Sequence, residues 1–300
     1  MKRQGIRRKR YFLSKMDISA WILCIPFIFG LYFFCIRPIA IGMGYSFFNL
    51  KGFTPVSWAG FTNFRNVMRD TAFLSTMRNT ISYVLWSLII GFWLPIVVAI
   101  MVNEIVHLKG TFKVLMYIPC ILPTLATSLL WYFMYQPGES GVLNQILALF
   151  GVAPKVWLQD KNAVIPLIVV SMTWRGFGST VIFYLASLQS INQDLYEAAR
   201  IDGAGILKRI KSITIPNMLP VALLMFVKQI ISIFKIVTEP MTMTDGGPNG
   251  ASLSLGLQSY YYMFNYNQPA NALAIGTITF AILMLINIFY FRLEKKIDVY

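Results

Sequence analysis

Six runs of mainly apolar residues, each about twenty residues long or longer, dominate the hydrophobic pattern of the chain. They occupy residues 18–43, 80–102, 114–135, 163–188, 217–237 and 270–291. An α-helix rises about 1.5 Å per residue, so each run can cross a hydrocarbon core of roughly 30 Å. The pattern predicts an all-α integral membrane protein with six transmembrane helices.

Four prolines fall inside these runs, namely Pro26, Pro95, Pro119 and Pro123. Membrane helices tolerate proline where neighbouring groups satisfy the carbonyls that lose a hydrogen bond. We therefore expect kinks at these positions within otherwise continuous spans.

The composition agrees with a membrane protein. Of 300 residues, 57% are hydrophobic and 13% are charged, and the mean hydropathy is +0.62. A soluble domain is normally about one quarter charged. We assign residues 18–292 to one transmembrane domain, flanked by a basic tail at residues 1–17 and a short tail at residues 293–300.

The distribution of Lys and Arg predicts the orientation, because short cytoplasmic segments are enriched in these residues. If the N-terminus is cytoplasmic, the segments on that side contain sixteen Lys and Arg residues and those on the other side contain seven. The bias places both termini in the cytoplasm. No DNA- or RNA-binding motif accompanies the formal charge of +14, so we expect no nucleic-acid partner.

One predicted cytoplasmic loop, residues 191–216, has the signals of a helix, a turn and a second helix. Asn192 can cap a helix whose first turn contains Asp194. Gly203 can adopt the left-handed conformation that ends this helix. A second short helix is predicted for about residues 204–213, ending before Pro216. The sequence thus predicts a helix-turn-helix.

This loop has two interpretations from its residues alone. Small side chains let another protein approach closely, and Glu197 and Asp202 add negative charge in a basic neighbourhood. Alternatively, the loop is an amphipathic linker lying on the lipid headgroups. The small residues are Ala198, Ala199 and Ala204.

The order Glu197-Ala198-Ala199, then Asp202-Gly203-Ala204, then Pro216, resembles the cytoplasmic EAA loop of ABC importer permeases. The resemblance covers most of the chain and points to the carbohydrate class, similar to the maltose-type large permease. Its further motifs are WAGFTNF from Trp58, RNT from Arg78, GESGVLN from Gly138, ASLQSI from Ala186 and TDGGP from Thr244.

The resemblance implies a permease subunit in a bacterial or archaeal cell membrane that forms half of a pathway for a sugar or oligosaccharide. It implies four partners besides membrane lipid: a second, different permease subunit, two copies of a cytoplasmic ATPase and an extracytoplasmic sugar-binding protein. Residues 293–300 do not resemble the small-residue tail of the second permease type, which adds to the expectation of a heterodimer. The residues expected to couple to the ATPase are Glu197, Ala198, Ala199, Asp202, Gly203, Ala204 and Pro216.

The sequence offers no enzyme chemistry of its own. It has no G-x-x-x-x-G-K-[ST] motif to cradle nucleotide phosphates and no H-E-x-x-H metal motif. We therefore expect no cofactor or metal bound by this chain, and expect ATP and Mg²⁺ to bind the partner ATPase subunits.

Polar residues in the last three runs are candidates for the substrate pathway: Arg175, Lys228, Tyr260 and Asn271. A cation near the centre of a membrane helix costs roughly 2.5–3.5 kcal/mol and usually faces a cavity or the bundle interior. Internal pairing or snorkelling to the membrane surface is the alternative for these side chains.

Two other functions remain possible from the sequence. One is a secondary transporter or channel that acts alone, although such proteins usually contain inverted repeats, and none is visible here. The other is an ABC permease for a non-sugar solute.

Overall fold

The computed structural model describes residues 15–104 and 109–297, so most of the predicted N-terminal tail lies outside the described residues. These residues are mainly helical. The α-helices are α1 Lys15–Leu31, α2 Arg37–Tyr45, α3 Thr62–Arg69, α4 Thr71–Trp86, α5 Trp93–Glu104, α6 Lys109–Ile121, α7 Thr124–Met134, α8 Val142–Leu149, α9 Val164–Gln189, α10 Gln193–Ile201, α11 Ile206–Arg209, α12 Ile215–Phe234, α13 Thr238–Thr244, α14 Leu255–Tyr260 and α15 Pro269–Ile297.

Short segments of other structure join some of these helices. A two-stranded antiparallel hairpin, β1 Phe48–Lys51 and β2 Thr54–Trp58, follows α2. The 3₁₀ turns are Gly138–Ser140 and Trp157–Gln159, and the π-helical turns are Tyr32–Ile36, Ser87–Phe92, Ile210–Thr214 and Tyr261–Asn265.

Within the described residues, five continuous helical segments are long and apolar enough to cross a membrane. They are Ala20–Tyr45, Thr71–Glu104, Val164–Gln189, Ile206–Phe234 and Pro269–Arg292. Five of the six predicted spans therefore correspond to continuous helices. The second begins earlier than the pattern predicts, because the Asp70 side chain accepts a hydrogen bond from the Ala72 amide and caps α4.

The predicted third span is not continuous. Gly110–Ile121 and Thr124–Met134 meet at an angle of 95°. Pro123 has a ψ of 141° and starts α7, and a proline also disfavours helical geometry at the residue before it. The expectation of a simple kink at Pro123 was wrong, since the chain turns sharply there. The described residues thus hold six spans only if the bent pair counts as one.

Successive parts of the bent pair contact positions progressively nearer the start of α9. Its first half touches the middle of α9, where a Cβ on Gly178 would lie 1.9 Å from the Met116 carbonyl oxygen. In its second half, the Trp131 ring lies 5.9 Å from the Trp174 ring. At its end, the Tyr135 hydroxyl donates to the Leu167 carbonyl over 3.3 Å. Along the chain, the bent pair therefore passes from the middle of α9 to its first turn.

Buried side chains form clusters between the helices, whereas much of the apolar surface faces outward. One cluster joins the end of α5 to α9 and α12, and includes Val102, Leu188 and Met218. By contrast, Leu23 and Phe34 are about 80% exposed, at 79% and 80%. Apolar residues on every side of an unburied helix are typical of a segment surrounded by lipid.

Asparagine side chains hold three of the connecting segments. Asn63 donates to the Ser46 and Phe48 carbonyls, and Asn79 donates to the Gly250 and Leu253 carbonyls. Asn144 joins the turn at Gly138 to the segment at Lys155. All three asparagines belong to the sequence motifs beginning at Trp58, Arg78 and Gly138, so these motifs have a structural role in the loops.

Candidate functional site

The loop segment 191–216 begins with the predicted cap. The Asn192 side chain accepts a hydrogen bond from the Asp194 amide over 3.0 Å at the start of α10. Asp194 lies in the first turn, where its charge favours the helix N-terminus. These two predictions are confirmed by the structure.

Gly203 ends α10 in the predicted left-handed conformation, with a φ of +73°. The Ala204 amide donates to the Ala199 carbonyl over 2.8 Å, and the Gly203 amide donates to Arg200 over 3.0 Å. These bonds satisfy carbonyls at the end of the helix. The turn is therefore closed by the backbone, and a glycine is favoured at its left-handed position.

The predicted bounds of the second short helix were wrong. Helix α11 begins at Ile206 and continues through the π-helical turn Ile210–Thr214 into α12, giving one helical segment Ile206–Phe234. Pro216 does not stop the helix, because it lies at the first turn of α12, directly after the wider π-helical turn. The loop is thus one short helix, a turn, and the start of the fifth span.

Most of the predicted coupling residues are accessible. Glu197, Ala198, Asp202, Gly203 and Pro216 are exposed, and Ala199 and Ala204 are half-buried. The sequence analysis missed two neighbours, Ile201 and Leu207, which are 86% and 82% exposed on either side of the turn. The available signal was the position of these large apolar residues, which flank the Asp202-Gly203 turn.

Helix α10 is attached to the base of the fifth span. The hydroxyl groups of Tyr196 and Thr214 are 3.0 Å apart and share a hydrogen bond. Ile191, Tyr196 and Ile213 pack on the cluster that contains Leu188 and Met218. A force on α10 would therefore reach α9 and α12 through packed side chains.

Arg175 on α9 and Lys228 on α12 line one cavity of about 360 Å³. We call it the basic cavity. The segment Ser87–Phe92 and helix α6 complete its wall. Its lining residues are Gly91, Phe92, Tyr117, Cys120, Arg175, Gly176, Ser179, Thr180, Tyr184, Met225, Lys228, Gln229 and Ser232.

The two cations of the basic cavity have different surroundings. Arg175 Nη2 lies 4.0 Å from Glu239 Oε1, and the side chains are 33% and 10% exposed. Burial raises the pKa of the Glu239 carboxyl, whereas a backbone hydrogen bond and the charge of Arg175 act to lower it. Lys228 Nζ lies 4.8 Å from the centre of the Phe183 ring. Glu239 was missed from sequence because it follows the fifth span in a short, separate helix.

The structure does not bring Tyr260 and Asn271 to this cavity. Tyr260 packs on Phe264, with the ring centres 4.8 Å apart. Asn271 donates to the Gln268 side chain over 2.8 Å. Neither residue lines the basic cavity or the adjoining cavity that also contains Arg175. The four predicted pathway residues therefore do not form one site.

A family model described as "Binding-protein-dependent transport system inner membrane component" matches residues 91–299. The arabinooligosaccharides transport system permease protein AraP of Bacillus subtilis (strain 168) is 28% identical, over 94% of this chain and 90% of that protein. The multiple sugar-binding transport system permease protein MsmF of Streptococcus mutans is 31% identical, over 92% of this chain and 95% of that protein.

The fold also resembles a solved structure, a bacterial ABC transporter involved in the import of the acidic polysaccharide alginate. One chain of it superposes with a TM-score of 0.82 at 24% identity, covering 94% of this chain and 96% of that chain. At this identity the likeness establishes the fold.

Proposed function

The chain belongs to the family of inner membrane components of binding-protein-dependent transport systems, and on this premise we propose that it is a permease subunit of an ABC importer for sugars or oligosaccharides. The observation that carries the proposal is the similarity of more than nine-tenths of the chain to sugar permeases such as AraP and MsmF, at 94% and 92% coverage. The basic cavity between α9 and α12 supplies hydroxyl, amide and aromatic groups suited to a saccharide.

The proposed assembly contains a second, different permease subunit, two copies of an ATPase that bind ATP and Mg²⁺, and an extracytoplasmic binding protein. In this assembly both termini of the chain lie in the cytoplasm and the chain forms half of the pathway. The exposed apolar faces of its helices support contact with lipid and with another membrane subunit.

Loop segment 191–216 is the proposed contact with the ATPase. Its exposed turn offers Ile201 and Leu207 to an apolar groove and Glu197 to a basic group. Nucleotide bound to the ATPase must stabilise the outward and inward states of the permease to different extents. Helix α10 can transmit a movement of the ATPase to the spans because it packs on α9 and α12.

Charge reversal tests this contact. We expect Glu197→Lys to leave the protein inserted in the membrane and to reduce ATPase co-purification, uptake or both, because it removes a charge pair across the interface. Glu139→Lys is the matched control, since Glu139 is an exposed acid in the turn Gly138–Ser140, which the predicted topology puts on the other side of the membrane, and ATPase co-purification should be unchanged. Normal ATPase association and normal uptake in Glu197→Lys would show that the segment is only a linker on the lipid surface.

The importer proposal itself is tested by purification and reconstitution. We expect the chain to co-purify with an ATPase, and we expect the complex in lipid vesicles to hydrolyse ATP faster when binding protein loaded with a saccharide is added. Transport of a solute by the chain alone, without ATP, would instead favour a secondary transporter or channel. Stimulation only by amino acids or peptides would make it a permease for a non-sugar solute.

A further inference from the structure

The basic cavity has an excess of positive charge. Two of its lining residues, Arg175 and Lys228, are cations, and no lining residue that the structure describes is Asp or Glu. The nearby Glu239 is not part of the lining and lies 4.0 Å from Arg175, beyond the usual length of a charge-assisted hydrogen bond. The guanidinium therefore retains donors that can turn toward the cavity.

Lys228 has a partner but no counter-ion among the described contacts of the cavity. Its Nζ lies over the face of Phe183, which is an uncharged partner. A ring face attracts a cation but leaves its positive charge in place. Polar groups that suit sugar hydroxyls, such as Ser179, Thr180 and Gln229, lie beside the two cations. The cavity thus combines hydroxyl recognition with a net positive charge.

We infer, resting on the proposed function as a sugar importer, that the transported saccharide carries a carboxylate, as uronic acid residues do. A planar guanidinium matches both oxygens of a carboxylate, and an ammonium adds a second, less directional attraction. Charged groups within a membrane span usually pair with one another or face a water-filled cavity, and the Lys228 side chain is exposed. A passing carboxylate would give Lys228 a counter-ion, whereas a neutral sugar would not.

Paired probes test this inference in the complete importer, with its partner subunits and its binding protein, in lipid vesicles. The probes are uronate disaccharides, digalacturonate and dimannuronate, and the methyl esters of both, which keep the hydroxyl pattern but lack the charge. We expect faster uptake of the acids than of their esters. Lys228→Gln should reduce uptake of the acids at least about tenfold, the factor for one charged contact of roughly 1.4 kcal/mol, and should reduce uptake of the esters much less.

Two further variants separate charge from structure. Lys228→Arg should retain most acid uptake. Lys235→Gln removes the cation that directly follows α12 and lines a different cavity, which includes Gly276, so it should not change uptake. Equal or faster uptake of the esters by the unmodified importer would overturn the inference and leave the importer proposal intact. If neither acids, esters nor neutral oligosaccharides stimulate ATP hydrolysis, the importer proposal fails as well.

Discussion

At the scale of single residues, buried polar side chains connect loop segments through several hydrogen bonds each. Asn144 is 1% exposed. Its amide donates to the Gly138 and Lys155 carbonyls over 2.9 Å each, and its Oδ1 accepts from the Lys155 amide over 3.0 Å and from Trp157 Nε1 over 2.9 Å. One side chain therefore satisfies several polar groups that would otherwise be buried without a partner.

Replacing this residue should destabilise the protein. We expect Asn144→Ala to lower the free energy of unfolding by about 2–4 kcal/mol, because several buried groups lose their partner at once. Thermal unfolding in detergent measures the effect. Asn49→Ala is the control, since Asn49 makes an exposed hydrogen bond to Ser57 in the hairpin, and its loss should change stability little. An equal melting temperature for both variants would contradict this role.

At the scale of helices, close contact between α6 and α9 depends on Gly178. A Cβ there would overlap the Met116 carbonyl oxygen and lie 2.9 Å from Tyr117 Cα, and both obstacles are backbone atoms. We expect Gly178→Ala to separate these helices and destabilise the protein by about 1–3 kcal/mol. Gly176→Ala, two residues earlier on α9, adds its Cβ to open space and should not destabilise. Detergent melting curves compare the two.

The turn after α10 requires glycine because of its backbone conformation, and not because a side chain there would clash with a neighbour. A Cβ on Gly203 would meet nothing within 4 Å, but its φ is +73°. Gly203→Ala should therefore cost about 1–2 kcal/mol locally and weaken ATPase co-purification. Gly205 has a φ of −66° and equally open surroundings, so Gly205→Ala should preserve association. Equal loss in both variants would show that bulk, and not the left-handed turn, matters.

The sequence predicted features that depend on nearby residues, and it did not predict those that depend on contacts between distant parts of the chain. Long apolar runs and the local signals at Asn192 and Gly203 depend on nearby residues, so they were visible. The 95° bend at Pro123 and the continuation of the helix through Pro216 depend on the backbone conformation of the turns next to each proline. That conformation cannot be read from the proline itself. The grouping of Arg175 with Lys228, and the separation of Tyr260 and Asn271 from them, depends on packing between distant helices.

At the scale of the whole molecule, the bent pair α6–α7 decides the topology. If it crosses the membrane, the chain has six spans and both termini lie on one side. If it enters and leaves on the same side, five spans place the termini on opposite sides. The contacts favour crossing, because α6 lies against the middle of α9 and the residue after α7, Tyr135, reaches Leu167 near the start of α9.

We therefore expect both termini to be cytoplasmic, in agreement with the excess of Lys and Arg on that side. Reporters placed after Gly203 and after Tyr300 test this, because six spans put both in the cytoplasm, whereas five spans with a cytoplasmic N-terminus put both outside. A reporter after Gly151, an exposed position with a φ of +69°, serves as the internal control and should lie on the opposite side from the other two. Cytoplasmic activity after Gly151, combined with external activity after Tyr300, would mean that α6–α7 is a re-entrant loop. The basic cavity, whose wall includes α6 residues Tyr117 and Cys120, would then be bounded by a loop and not by a crossing helix.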